Sequence, residues 1–199
     1  MRIIHTKKLL KSQIQHNKFQ NLKCFKNPKG FRGRSAFTVQ LWWAVQALFF
    51  KPSPQAFYGW RRFILRAFGA EIGKKVIIRP TARITYPWKV SIGDFSWIGD
   101  EVVLYSLGNI KIGENTVISQ RSYICTGTHD YNSEDFRIYA VDINIGSKCW
   151  LATDVYVAPG ITIKDGVVVG ARSSVFSDLD ANKVYVGSPA KSIKNRTVD

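Results

Sequence analysis

The chain has 199 residues, 45% of them hydrophobic and 13% aromatic, enough to bury the core of one domain with appendages and too apolar for a wholly disordered polypeptide. Fifteen Gly and seven Pro exclude collagen-like and low-complexity classes, and three cysteines are too few, and odd in number, for a secreted disulfide scaffold, which points to the cytoplasm. Lys+Arg exceed Asp+Glu by 29 to 14, so an acidic surface is excluded and the placing of the excess becomes the first question.

The excess sits at one end. Residues 1–70 hold 14 basic side chains and no acidic one, leaving 15 basic against 14 acidic groups in the rest. The first third therefore seeks phosphate or anionic lipid, whereas the remainder has the balance of a folded soluble body. Within that third, residues 36–50 (AFTVQLWWAVQALFF) form the most apolar run. At 15 residues, with Gln40 and Gln46 inside and Lys51-Pro52 behind, the run is too short to cross a bilayer. A long basic stretch ahead of it and no small-x-small site after it predict no secretory signal. Trp42, Trp43, Phe49 and Phe50, flanked by Arg32, Arg34, Lys51, Arg61 and Arg62, suit an amphipathic element making peripheral membrane contact through residues 1–66. The same aromatics equally suit packing on the rest of the protein. Residues 54–70 place Phe57, Trp60, Ile64, Leu65 and Phe68 at helical spacing with Arg61, Arg62 and Arg66 on other faces, which predicts a capping helix. Residues 1–71 are thus a basic, aromatic extension.

From residue 72 to 199 a six-residue period governs the chain. Aliphatic residues recur at Ile72, Ile78 and Ile84, at Ile92, Ile98 and Leu104, at Ile112, Ile118 and Ile124, and then from Ile145 through Leu151, Val157, Ile163 and Val169 to Val175. Gly often follows directly, and a small or branched residue comes four positions on (Val76, Ala82, Ser96, Val102, Thr116, Ser122, Thr128, Cys149). This period fits neither a helix stripe nor a hairpin sandwich. It fits a coiled sheet whose three sides are each one short strand and one turn, with the aliphatic and the small residue pointing inward and Gly serving the turn geometry. Coil origins at 72, 92, 112, 145 and 163 predict two-residue bulges near Tyr86-Pro87 and Gly108-Asn109 and an inserted loop over 129–142. A segment after Val186 would cover the far end of the solenoid.

These hexads resemble those of the hexapeptide-repeat acyltransferases, and the resemblance implies an all-β solenoid, a left-handed parallel β-helix, over about residues 54–196. The stretch Cys125-Thr126-Gly127-Thr128-His129-Asp130-Tyr131 is similar to the segment carrying the catalytic histidine in the sugar O-acetyltransferases of that family. Gly59-Trp60-Arg61-Arg62, Ile118-Ser119-Gln120-Arg121 and Val186-Gly187-Ser188-Pro189-Ala190-Lys191 are similar to the branch that acetylates exopolysaccharide precursors such as those of colanic acid. The resemblance implies transfer of acetyl from acetyl-CoA to a sugar hydroxyl of an exopolysaccharide or surface-glycan precursor, with His129 as general base; a lipid-pyrophosphate-linked acceptor at the inner leaflet would account for the basic, aromatic extension. An imidazole titrating near neutrality suits that proton transfer. It further implies an acceptor contact at Glu101, where relatives carry an asparagine, and donor contacts at Trp150, Thr153, Ala171 and Lys191; beside these, Tyr105 could stack on a sugar ring and Asp130 could orient a sugar hydroxyl. A homotrimer with each site shared between neighbours also follows from it. Asp130 could instead stiffen its loop, Tyr105 could be an ordinary strand tyrosine, and the four donor residues could be prism packing.

Cys125, four residues before His129, is a candidate nucleophile, but free cysteines commonly pack as small hydrophobes. No metal-ligand cluster and no phosphate loop appears, so no metal is expected. Two other readings stay open. One is an acetyltransferase for another acceptor, an amino-sugar nucleotide or an antibiotic. The other is a non-catalytic solenoid whose arm, residues 1–34, binds nucleic acid; against it, the arm offers only Phe19, Phe25 and Phe31 for stacking, so no nucleic-acid partner is expected.

Overall fold

The computed structural model describes residues 19–197; His5, His16 and the rest of the first 18 residues of the basic arm lie outside them. The chain divides into two compact units: Met1–Phe31 with Thr128–Tyr139, and Arg32–Gly127 with Ala140–Asp199.

In the larger unit the hexads build a parallel β-helix. Ile72, Ile92, Ile112, Ile145 and Ile163 stand in register along one sheet. A second sheet aligns Ile78, Ile98, Ile118, Leu151 and Val169, and a third Ile84, Leu104, Ile124, Val157 and Val175. All fifteen of these side chains are at most 7% exposed, while their preceding neighbours face outward, as strand alternation requires. Burying an aliphatic side chain contributes about 1.5–3 kcal/mol, so a ladder of identical steps is the main driving force for the coil.

The small residues four positions on are also inside, and several are hydroxylic for a reason. The Ser96 Oγ donates to the Gly113 carbonyl and accepts from the Thr116 N–H, and the Thr116 Oγ1 donates to the Gly146 carbonyl and accepts from the Cys149 N–H. Each hydroxyl thus bridges its coil to the next, which keeps a polar group affordable in a dry interior. Thr128 is an exception to the expected pattern: it lies in the smaller unit on the hairpin, half-buried, because the chain has already left the prism.

The glycines have a different role from the one expected. The left-handed turn residue is the third after most of the aliphatics, and it is seldom Gly: Lys75, Phe95, Glu101, Asn115, Arg121, Lys148, Asp154 and Arg172 have φ between 52° and 60°, while Gly160 and Gly166 fill the same position after Val157 and Ile163. The Gly that follows the aliphatic is needed by close approach. A Cβ on Gly93 would lie 2.5 Å from the Glu114 nitrogen, and one on Gly113 2.5 Å from the Ser147 nitrogen. Stacked corners leave no room for a side chain there.

Two helices close the first coil. Helix α1 (Ala36–Val45) starts at Ser35, whose Oγ accepts from the Thr38 N–H, and runs on as a wider turn over Gln46–Phe50. Helix α2 spans Tyr58–Ala67. The expected faces of this segment are partly reversed: Ile64 and Leu65 are buried, but Phe57 and Trp60 are 55% and 40% exposed and Arg61 is fully buried. The cause is the open edge of the solenoid, whose carbonyls need donors. The Arg61 Nε donates to the Ile78 carbonyl at 2.6 Å, and Arg62 and Arg66 donate to the Val76 and Ile72 carbonyls. The Trp42 indole supplies the Ile84 carbonyl at 2.9 Å. Burial pushes the Arg61 pKa down from the ordinary arginine value, yet a guanidinium keeps its proton. At the other end Lys183–Val186 extends the second sheet and Lys191–Asn195 folds back antiparallel on it.

Candidate active site

The chain leaves the prism after Gly127 on the strand Gly127–His129 and returns on Ile138–Ala140, the two forming a small sheet. The insertion is thus a hairpin, longer at its start than the expected 129–142. Its tip is fixed by an Asp130 N–H bond to the Arg137 carbonyl, and Asp130 Oδ1 accepts from the Asn132 N–H.

His129 makes three contacts that hold its ring. Its Nδ1 lies 2.8 Å from the Phe136 carbonyl oxygen. A carbonyl can only accept, so Nδ1 carries the hydrogen and Nε2 presents a lone pair in the neutral ring. The Phe136 ring stacks on the imidazole at 4.3 Å and 10°, with Phe136 itself in the left-handed region at φ 45°. Phe25 also packs against the imidazole, tilted at 46° with its centroid 6.1 Å away. The segment carrying Phe25 is tied down by a 2.7 Å bond from the Asn21 N–H to the Glu134 carbonyl. Phe25, read from the sequence only as a stacking residue for nucleic acid, is thus packed on the histidine. Phe136 acts through its backbone and carried no sequence signal. The carboxylate of Asp130 is occupied within the hairpin, its Oδ2 4.0 Å from the Arg137 Nε.

The other expected site residues lie in the larger unit. Glu101 is an exposed left-handed corner whose N–H donates to the Thr81 hydroxyl. Tyr105 is half-buried and heads a ladder of rings, 6.0 Å from Tyr123, which is 6.4 Å from Tyr156; burial pushes the Tyr105 phenol up, so it stays a neutral hydroxyl. Trp150 is 48% exposed on the second sheet, and its indole donates to the Ser119 Oγ at 3.0 Å. Thr153 and Ala171 occupy equivalent corners of adjacent coils, joined by the Arg172 N–H bond to the Thr153 carbonyl. Their own N–H groups have no acceptor among the described residues. Lys191 opens the antiparallel strand and is exposed. Cys149 is buried with its thiol pushed up by desolvation, and the Cys125 Sγ donates to the Gly127 carbonyl at 3.2 Å; both sit as packing groups. Among the described residues no group of His, Cys, Asp and Glu could hold a metal ion.

Hexad coils closed by helices at one end and interrupted once by a histidine hairpin define a left-handed parallel β-helix of the acetyltransferase kind. No family model matches the chain. Over 177 residues it is 62% identical to WcaF of Escherichia coli strain K12, named for acetyl transfer in colanic acid biosynthesis, covering 89% of this chain and 97% of that one. The crystal structure of a maltose O-acetyltransferase from Clostridium difficile 630 superposes with TM-score 0.77 at 26% identity, covering 87% and 92% of the two chains. A hexapeptide-repeat acetyltransferase from Vibrio cholerae, complexed with acetyl coenzyme A, superposes with TM-score 0.74 at 22% identity, covering 83% and 92%. The chain belongs to the hexapeptide-repeat acetyltransferases.

Proposed function

We propose that the protein transfers acetyl from acetyl-CoA to a saccharide hydroxyl during assembly of an exopolysaccharide or other surface glycan, with His129 as general base. The carrying observation is the Nδ1–H bond to the Phe136 carbonyl, which leaves Nε2 as the only ring nitrogen able to take a proton. In that role Nε2 accepts the hydroxyl proton while the sugar oxygen attacks the thioester carbonyl. The tetrahedral intermediate then expels the CoA thiolate, which recovers the proton from the imidazolium. A fixed ring and tautomer supply the orientation that a lone loop histidine lacks. The names of the Escherichia and Clostridium relatives support a saccharide acceptor, and the Vibrio complex supports acetyl-CoA as donor.

For the donor, Trp150 offers an exposed apolar wall, and the unused N–H groups of Thr153 and Ala171 suit the amide carbonyls of the pantetheine arm. Lys191 suits a CoA phosphate. A homotrimer with His129 and Trp150 of neighbouring protomers in one site is part of the reading. It is supported by the outward column Trp97, Val117, Trp150 and Val168, in register on the second sheet, with both tryptophans about half exposed; such a face favours a protein partner. Glu101, Tyr105 and Asp130 keep their proposed place at the acceptor, and residues 1–71 and 72–199 their proposed places as extension and catalytic domain.

The test is the product. Incubated with acetyl-CoA and a panel of oligosaccharides and amino sugars, the protein is expected to form an acetyl ester that mild alkali removes. An alkali-stable amide on an amino sugar would favour the N-acetylating alternative instead.

Location at the inner face of the cytoplasmic membrane is also proposed. Among the described residues no helix is long and apolar enough to cross a membrane. Helix α1, expected to be amphipathic, is apolar on its buried face (Val39, Trp42) and also on its exposed one (Phe37, Leu41). Leu48, Phe49, Phe57 and Trp60 line one exposed apolar hollow. In a region with no acidic residue before Glu71, that surface suits an anionic bilayer. Vesicles containing phosphatidylglycerol should sediment the protein better than neutral ones; equal sedimentation refutes the contact.

A further inference from the structure

In the basic arm, every residue from 19 to 30 is exposed except Phe25, which is half-buried. Phe19 and Leu22 are just as apolar, yet they are 74% and 66% exposed. Hydrophobicity alone therefore does not select Phe25; its place in the chain does. A short 3-10 turn over Leu22–Cys24 sets that place. The Asn21 Oδ1 accepts from the Lys23 N–H, and the Asn21 carbonyl accepts from the Cys24 N–H. The N–H of the same residue donates to the Glu134 carbonyl of the hairpin at 2.7 Å. Asn21 thus fastens the arm to the hairpin, and the turn carries Phe25 from that fastening to the imidazole.

The last torsion of a histidine side chain has a broad, roughly two-fold profile, so the side chain itself does not choose which nitrogen it presents. The Nδ1–H bond to the Phe136 carbonyl makes that choice, but one hydrogen bond holds one atom, and swinging of the ring is limited by what packs on it. His129 has two ring contacts among the described residues, Phe136 and Phe25. Phe136 belongs to the same hairpin and can move with the histidine as a body. Phe25 comes from a segment more than a hundred positions earlier, so it ties the imidazole to something outside its own hairpin. We propose that Phe25 is a positioning residue for acetyl transfer: acting through His129, it restrains the imidazole from outside the hairpin and makes the basic extension part of the catalytic apparatus. The proposal rests on the general-base reading of His129 and adds a residue to it.

The test uses the full chain and a soluble oligosaccharide acceptor. Phe25→Ala should lower kcat by about three- to tenfold, the scale of one aromatic contact, and leave KM for acetyl-CoA unchanged. No residue of the segment belongs to the hydrophobic core, so the variant should keep its fold and its Tm. Phe25→Tyr retains the ring and should restore most of kcat, and Leu22→Ala, on the same turn but exposed, should leave it unaltered. A residue that acts through the imidazole adds no loss once the imidazole is gone, so the double variant of Phe25→Ala and His129→Ala should equal His129→Ala alone. Nitrogen-15 spectra of histidine-labelled protein in mildly alkaline buffer, without substrates, give a readout independent of turnover. His129, told apart from His5 and His16 by its loss in His129→Ala, should show the Nδ1–H tautomer in wild type and an added Nε2–H population in Phe25→Ala. A loss of kcat below about threefold, an equal loss in the His129→Ala background, or an unchanged tautomer in Phe25→Ala overturns the proposal and leaves the base reading intact. Wild-type activity in His129→Ala would instead overturn the base reading, and the catalytic role of Phe25 with it, while the spectra would still decide whether Phe25 restrains the ring.

Discussion

Replacing His129 with alanine is expected to lower kcat/KM for acetyl transfer by about 10²–10⁴-fold, the usual contribution of a positioned general base. The effect should fall on kcat, because the proton moves only as the hydroxyl attacks. Phe136→Ala is a graded companion: the backbone carbonyl that sets the tautomer remains, while the ring stacked at 4.3 Å is lost, so a smaller loss of about tenfold is expected. Loss below about tenfold in His129→Ala would mean that the imidazole is not the base. The shared-site arrangement has its own readout in the same assay. If His129 and Trp150 from adjacent protomers meet in one site, mixing unfolded His129→Ala and Trp150→Ala chains and refolding them together restores part of the activity, since some junctions then carry both intact residues. No recovery above the separate variants would place the two residues in the same protomer's site.

Arg61→Met is expected to be the most damaging substitution for stability outside the prism. The arginine is fully buried and donates to the carbonyls of Ile78, Pro54 and Gln55 and to the Ser53 Oγ. Methionine fills similar space but leaves those oxygens dehydrated and unpaired, at about 1–3 kcal/mol each for the ones that water cannot reach. A net loss of roughly 3–5 kcal/mol corresponds to a fall in Tm on the order of 10 °C for a domain of this size. Arg61→Lys keeps the charge with fewer and differently placed donors and should fall between. Thermal unfolding of Arg61→Met at the wild-type temperature would show that the carbonyls find water and that the edge needs no arginine.

The prism was readable from the sequence because its repeat places one aliphatic side chain per side, and fifteen such positions from Ile72 to Val175 keep that rule. The hairpin that carries His129 stood out because the rule breaks there. The fittings around them were not readable. Arginines at helical spacing read as solvent-facing, since hydrophobicity usually sorts a helix, and the carbonyl row that draws Arg61 inward exists only once the coil has formed. Gly93 and Gly113 were visible, but their cause was misassigned, because contact between stacked corners is not a local property of the chain. The partners of His129 are a backbone oxygen, which has no sequence identity, the ring of Phe136 seven positions on, and a ring more than a hundred positions earlier. That last contact bears on truncation: a deletion of the basic arm through residue 34 removes Phe25 and its contact with His129, whereas one that stops at residue 18 keeps it.

Equal spacing of the coils makes length an adjustable quantity in this molecule. Residues 145–162 form one complete circuit, from Ile145 to the residue before its register partner Ile163, and in such arrays each layer is supported by the layers on either side. A tandem copy of that segment would raise the prism by about 4.8 Å, so the spacing between Gly127, where the chain leaves the coils, and the C-terminal Lys191 can be varied in fixed increments.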